Sequence, residues 1–167
     1  MIQAVLYLIY RTKRGKKMDS EKQLHQQIAL FYLACKTFSD TTDTLITTHG
    51  LSRLHHRILF FTARIPGVTT GELIKLLEIS KQALQKPLQD LKEKGLLHIG
   101  MSEQDRRKRT LFLTSAGLRL ISELDSVQRK QLGDALKNAG DPKGKIFSAV
   151  LKEFAKNRSG MPFIDQF

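Results

Sequence analysis

The chain has no tryptophan and a single cysteine, Cys35, in 167 residues. One thiol cannot close a disulfide within the chain, so burial and hydrogen bonds must hold the fold, as suits a reducing cytoplasm. Acid is scarce too: 16 Asp and Glu stand against 28 Lys and Arg, a net charge of +12. An excess of this size points to a polyanionic partner, nucleic acid before an anionic membrane. The sequence contains no glycine-rich phosphate loop, no G-x-S-x-G and no H-E-x-x-H. With no catalytic constellation in view, an enzyme is not expected.

A long hydrophobic run is also missing. Residues 1–10 are apolar, but a bilayer span needs about 20 residues. The cations Arg11, Lys13, Arg14, Lys16 and Lys17 follow this stretch. That order is the reverse of a signal peptide, so neither export nor a membrane partner is expected. Met18 offers a second start, and residues 1–17 are expected to be a mis-assigned start or a disordered tail. Without those five cations the remainder still carries +7, so the basic character belongs to the body of the chain. At this length, with 41% apolar residues, the chain can bury a real core.

What is present is periodic. Leu24, Ile28, Phe31, Cys35, Phe38, Thr42 and Leu45 recur at alternating steps of four and three. They predict a helix over 21–48 with a seam suited to another helix or subunit. Asp40-Thr41-Thr42-Asp43 is its weak point, and His49-Gly50 its stop. Ser52 caps a helix over 53–64, which Pro66-Gly67 ends. Thr69 and Glu72 form a capping box opening a short helix over 71–78. Ser80 caps the next helix, 81–94, closed by Gly95. Only Ile79-Ser80 separate these two, which is helix-turn-helix spacing. Alternating strands over 96–101 and 109–114 enclose a polar loop. A long helix starts at Ser115 and breaks at Gly140-Asp141-Pro142. Ile146, Phe147, Val150, Leu151 and Phe154 mark a last amphipathic helix. The fold class is mainly α with a small β-hairpin (α+β).

Asp105-Arg106-Arg107-Lys108-Arg109 puts four cations behind one acid, between the two strands. A basic hairpin tip just after a helix-turn-helix is what a winged helix uses to hold DNA. Leu84, Leu88 and Leu91 share one face of the helix 81–94, while Gln82, Gln85, Lys86 and Gln89 cluster opposite. Amides and amines there can address base edges and phosphates in a major groove. Ser80 and Lys81 at the helix start suit a phosphate contact. Arg106, Arg107, Lys108 and Arg109, in a wing over 102–109, suit a minor groove, where the potential is most negative.

The run Asp105-Arg106-Arg107 … Leu111-Phe112-Leu113-Thr114-Ser115-Ala116-Gly117 resembles the wing signature of the MarR family, approximately D-R-R-x-x-x-hydrophobic-x-L-T-x-x-G. Ser80-Lys81-Gln82-Ala83-Leu84 … Leu88 … Leu91 … Lys94-Gly95-Leu96-Leu97 resembles that family's recognition helix and its exit into the wing. The resemblance is dense from Leu51 to Gly117. It implies a homodimeric, cytoplasmic transcription regulator, a repressor on double-stranded DNA with a pseudo-palindromic operator, often released by a small-molecule effector. It implies a dimerisation helix over 18–48, a winged helix-turn-helix over 49–117 and dimerisation helices over 118–167. It also implies that Asp105 pins an arginine and shapes the wing. Phe31, Phe38, His55 and Leu59 are candidate liners of an effector pocket.

Two features depart from the pattern. Pro87 sits inside the recognition helix, where proline removes a hydrogen bond and clashes with the preceding turn; a kink or altered geometry is expected there. The connection Asp141-Pro142-Lys143-Gly144 is looser than the family pattern. Pro87 is the best support for an alternative, a winged-helix protein-interaction module that has lost DNA binding. Another alternative is a ligand or redox sensor acting through Cys35. On the apolar seam, however, Cys35 is expected to be buried and structural. His49, His55 and His56 fit no helical ligand pair, so no metal is expected, and no cofactor either.

Overall fold

The computed structural model describes residues 2–101, 108–164 and 167, with backbone alone for residues 2–18. Residues 1–40 and 41–167 form two separate compact units. Helix α1, Ile2–Thr48, runs through the first and ends in the second. Residues 2–17, expected to be a start artefact or a disordered tail, are helical and continue into the rest of α1 without a break. In the first unit α1 leaves its apolar seam open: Leu24, Ile28 and Phe38 are all exposed. Cys35 is exposed as well, against the expectation of a buried thiol. The seam would have covered it only if the same chain supplied the cover.

The expected break at 40–43 does not occur. Asp and Thr disfavour a helix when their side chains compete for the backbone, but here those side chains are engaged. Thr42 is buried and its hydroxyl lies 3.4 Å from the Gln128 amide of α5. Asp43 pairs with Arg53 of α2, which holds its carboxyl below the usual range. Tertiary contacts override propensity at this point.

The second unit holds the core. Helix α2 is Arg53–Arg64, α3 Thr70–Leu77 and α4 Lys81–Glu93. Strands β1, Leu97–Met101, and β2, Arg109–Leu113, pair antiparallel with Ile99 opposite Leu111. Helix α5 is Ser115–Asn138, α6 Lys145–Ala155 and α7 Met161–Ile164; sequence periodicity gives no sign of the last. Ile58, Leu59, Leu73, Leu91, Leu111 and Leu124 are wholly buried at its centre. At about 2 kcal/mol for each buried aliphatic side chain, this cluster is the main source of stability.

Local signals explain the boundaries. Thr69 Oγ1 accepts from the Glu72 N–H at 3.2 Å, and Glu72 Oε2 accepts from the Thr69 N–H at 2.8 Å, the expected capping box. Ser80 Oγ accepts from the Ala83 N–H at 3.1 Å. The segment ahead of α3 joins the hairpin as a short third rung, because Leu111 N–H donates to Val68 O and Gly67 N–H to Leu111 O, both at 2.9 Å.

One point ties hairpin and helix together. The Thr114 hydroxyl donates to Gly95 O at 2.6 Å and accepts from the Gly117 N–H at 3.1 Å, capping α5. A side chain at Gly117 would collide with the Leu96 carbonyl. The Thr-x-x-Gly signature therefore marks a cap and a close approach of backbones.

Candidate nucleic-acid interface

Helix α4 is amphipathic, and its register decides what it offers. Leu84, Leu88 and Leu91 are buried against the core. Lys81, Gln82, Gln85, Lys86 and Gln89 are all exposed on the opposite side, and Ser80 is exposed at the N-cap. Gln89 donates to Glu93 Oε1 at 2.7 Å, and Lys86 lies 3.7 Å from Asp90. At the surface such pairs are worth under about 1 kcal/mol and yield readily to another partner.

Pro87 does not break α4. The helix runs through it, with Pro87 half-buried beside the leucine face. Proline leaves the Ala83 carbonyl without its helical donor. Ala83 is exposed, so water can satisfy that carbonyl. The three buried leucines hold the helix across the missing bond.

A groove of about 1090 Å³ runs between α3, α4 and the hairpin. Lys81, Gln85, Lys86 and Gln89 line it from α4, and Arg109 lines it from β2. The structure thus brings these four side chains of α4 and Arg109 at the base of the wing to one concavity, which Asp90 and Glu93 also line; Ser80 and Gln82 are not among its lining residues. Lys108 and Arg109 are exposed. Asp105, Arg106 and Arg107 lie outside the described residues.

Of the expected effector-pocket liners, Leu59 is wholly buried in the core. His55 is buried and fully engaged: its Nδ1 accepts from the Ser52 N–H at 3.0 Å, and its Nε2 lies 3.3 Å from Asp90 Oδ2 of α4. Accepting at Nδ1 puts the ring proton on Nε2, aimed at Asp90. Neither residue offers surface to a ligand. His55 instead braces the start of α2 against α4, a role that sequence reasoning missed. The signal was there, since Ser52-x-x-His55 puts His where a capping box has Glu or Gln. Phe31 and Phe38 belong to the first unit, where both are exposed.

A second polar tie links α2 to α5. Arg64 donates to Asp125 Oδ2 at 2.7 Å, and its guanidinium lies 3.6 Å above the Phe60 ring. Beside it His56 is buried, with no hydrogen-bond partner for Nε2 among the described residues. Burial lowers its pKa below the ordinary histidine value, although the Asp125 charge pulls the other way.

A helix-turn-helix whose second helix turns a polar face outward, followed directly by a hairpin with cations at its base, defines the winged-helix transcription regulators. The chain belongs to the MarR family, whose model matches residues 49–108. It is 33% identical over 133 residues to the HTH-type transcriptional regulator PetP of Rhodobacter capsulatus, covering 80% of each chain. Among solved structures it is similar in fold to a MarR family transcription regulator, with a TM-score of 0.69, 18% identity, and 83% of this chain and 95% of that one covered. The S. aureus MepR-DNA complex matches with a TM-score of 0.63 at 18% identity, covering 77% and 95%.

Proposed function

We propose that this transcription regulator binds double-stranded DNA as a homodimer in the cytoplasm, on a pseudo-palindromic operator, and represses by occupying it. One observation carries the reading: the exposed polar strip of α4 opens onto the same groove as Arg109. In this arrangement Gln82, Gln85 and Gln89 address base edges, and Ser80, Lys81 and Lys86 address phosphates. Lys108 and Arg109, with Arg106 and Arg107 ahead of them, track the neighbouring backbone or minor groove. Asp105 shapes that wing. The net charge of +12 supplies the sequence-independent attraction, and MepR, a protein of the same fold, has been solved with DNA.

The dimer rests on the open apolar faces. Residues 18–48 and 118–167 would pair two copies, and 49–117 would read DNA. Ile146 and Val150 on α6 are 72% and 50% exposed, and Leu24 and Ile28 on α1 are comparably open. A two-fold partner covers such faces and places two α4 helices on successive turns of one duplex face.

Fluorescence anisotropy tests this, with DNA flanking the protein's own gene and a salt series. Log affinity should fall linearly with log salt, at about −0.9 per phosphate neutralised. The double variant Arg106→Ala, Arg107→Ala should lower that slope by about two, at about one for each phosphate no longer neutralised, with melting unchanged. A flat salt response would overturn DNA binding and favour a protein-interaction module.

A further inference from the structure

The segment after α6 grips the turn of the helix-turn-helix. Arg158 Nη1 donates to Glu78 Oε2 at 2.6 Å, and the Ser159 N–H donates to Glu78 Oε1 at 3.2 Å. The Ser159 hydroxyl donates to Lys75 O at 2.6 Å, one of the carbonyls that the end of α3 leaves open. Gly160 lies against Leu76, where an added Cβ would come within 3.2 Å of the Leu76 carbonyl. Three consecutive residues thus hold the last turn of α3.

Glu78 is an unusual choice for its place. Its φ is +51°, the left-handed region, and no other non-glycine among the described residues has a positive φ. Glycine or asparagine commonly closes a helix in that conformation. Glutamate has no backbone advantage there, so the reason for it lies in its carboxylate, which the C-terminal segment holds. Only Ile79 separates Glu78 from Ser80, the cap of α4. The backbone of Glu78 therefore sets the direction in which α4 leaves α3. At the other end, Arg158 follows α6 closely, its N–H donating to Ala155 O at 2.8 Å.

We infer that Glu78, Arg158 and Ser159 are positioning residues that fix α4 relative to α6, and so set which half-site spacing the regulator accepts. The inference rests on the DNA-binding dimer proposed above. In a two-fold dimer the distance between the two α4 helices must match the distance between half-sites. A fixed turn narrows the spacings that fit, and a released turn widens them.

The probe is the duplex that the wild-type chain selects from a random-sequence library, remade with its half-sites one and two base pairs closer and farther apart. Failure of the wild type to select any duplex would sink the DNA-binding reading itself, apart from this inference. Given a selected duplex, Arg158→Ala and Glu78→Gly should each weaken binding about threefold at the preferred spacing, the scale of an exposed ion pair. Both should lose less at the altered spacings, so the preference flattens. The swap Glu78→Arg with Arg158→Glu should restore it only in part, because an arginine at position 78 cannot accept from the Ser159 N–H. Glu78→Gly is the sharpest arm, because glycine relieves the left-handed backbone and should raise the melting temperature while discrimination falls. Wild-type spacing preference in both single variants would overturn the inference. So would unfolding of Arg158→Ala, which would make the contact part of the fold and not a positioning device.

Discussion

The region from Leu51 to Leu124 and the two flanking helical faces treat apolar residues in opposite ways. In the first, Ile58, Leu59, Leu73, Leu91 and Leu111 are sealed from solvent, and side-chain caps close α3, α4 and α5. In the second, Leu24, Ile28 and Tyr32 on α1 and Ile146 and Val150 on α6 stand in the open. Composition does not separate them, since both are rich in leucine, isoleucine and valine. The difference is where the complementary surface lies. The winged unit carries its own, whereas the flanking faces leave these side chains exposed, and the proposed dimer would supply their cover. Substitutions in the first should therefore report on folding, and substitutions in the second on association.

The largest effect is expected in the sealed region. Leu91→Ala should cost about 2–5 kcal/mol, the range for a buried leucine whose cavity cannot close. Chemical denaturation would check it, and a loss under about 1 kcal/mol would mean that the core is looser than its burial indicates. Next, Val150→Asp on α6 should leave the melting of the winged unit nearly unchanged. Light scattering should instead find monomer at concentrations where the wild type is a dimer, with association weakened by about 2 kcal/mol or more, as for a central interface residue. A wild type that is monomeric at micromolar concentration would remove the contrast altogether.

The smallest effect concerns His56, whose pKa in the fold lies below its ordinary value through burial. The unfolded chain then binds the proton more readily than the native one, so protonation favours unfolding. Stability should be complete above the ordinary histidine pKa of about 6.5. It should fall as the pH drops below that value and level off once the folded state titrates too. In His56→Leu the melting temperature should depend less on pH between about 7.5 and 5, the window around that ordinary value. An unchanged pH profile would assign the dependence to another group.

Much of the winged unit is legible because its signals are local. Ser52, Ser80 and Gly95 stand where caps belong, and the hairpin alternates with period two. The polar strip of α4 is legible for the same reason, since three leucines fix one face and so define the other. What stays hidden depends on residues far apart in sequence. Nothing near Asp40–Asp43 reveals that Gln128 and Arg53 hold the helix there. An apolar seam implies a cover for Cys35, but the seam cannot say which chain supplies it. His55 has the character of a pocket liner until Asp90, 35 residues on, shows what its ring meets. Pro87 promises a weak point in α4, yet the helix runs on through it, with leucines buried on either side. The clasp on Glu78 comes from residues 80 and 81 positions away, beyond any periodicity.

The junction at Thr114 and Gly117 has a consequence for how such a regulator can diversify. One hydroxyl closes the base of the hairpin and starts the next helix, and one missing side chain lets the two backbones meet. Everything beyond that base hangs from a locked hinge plate. Sequence change between Met101 and Lys108 is therefore set apart from the core by this junction. On the DNA-binding reading proposed above, the wing is thereby the part whose DNA preference can change on a frame that need not be rebuilt each time.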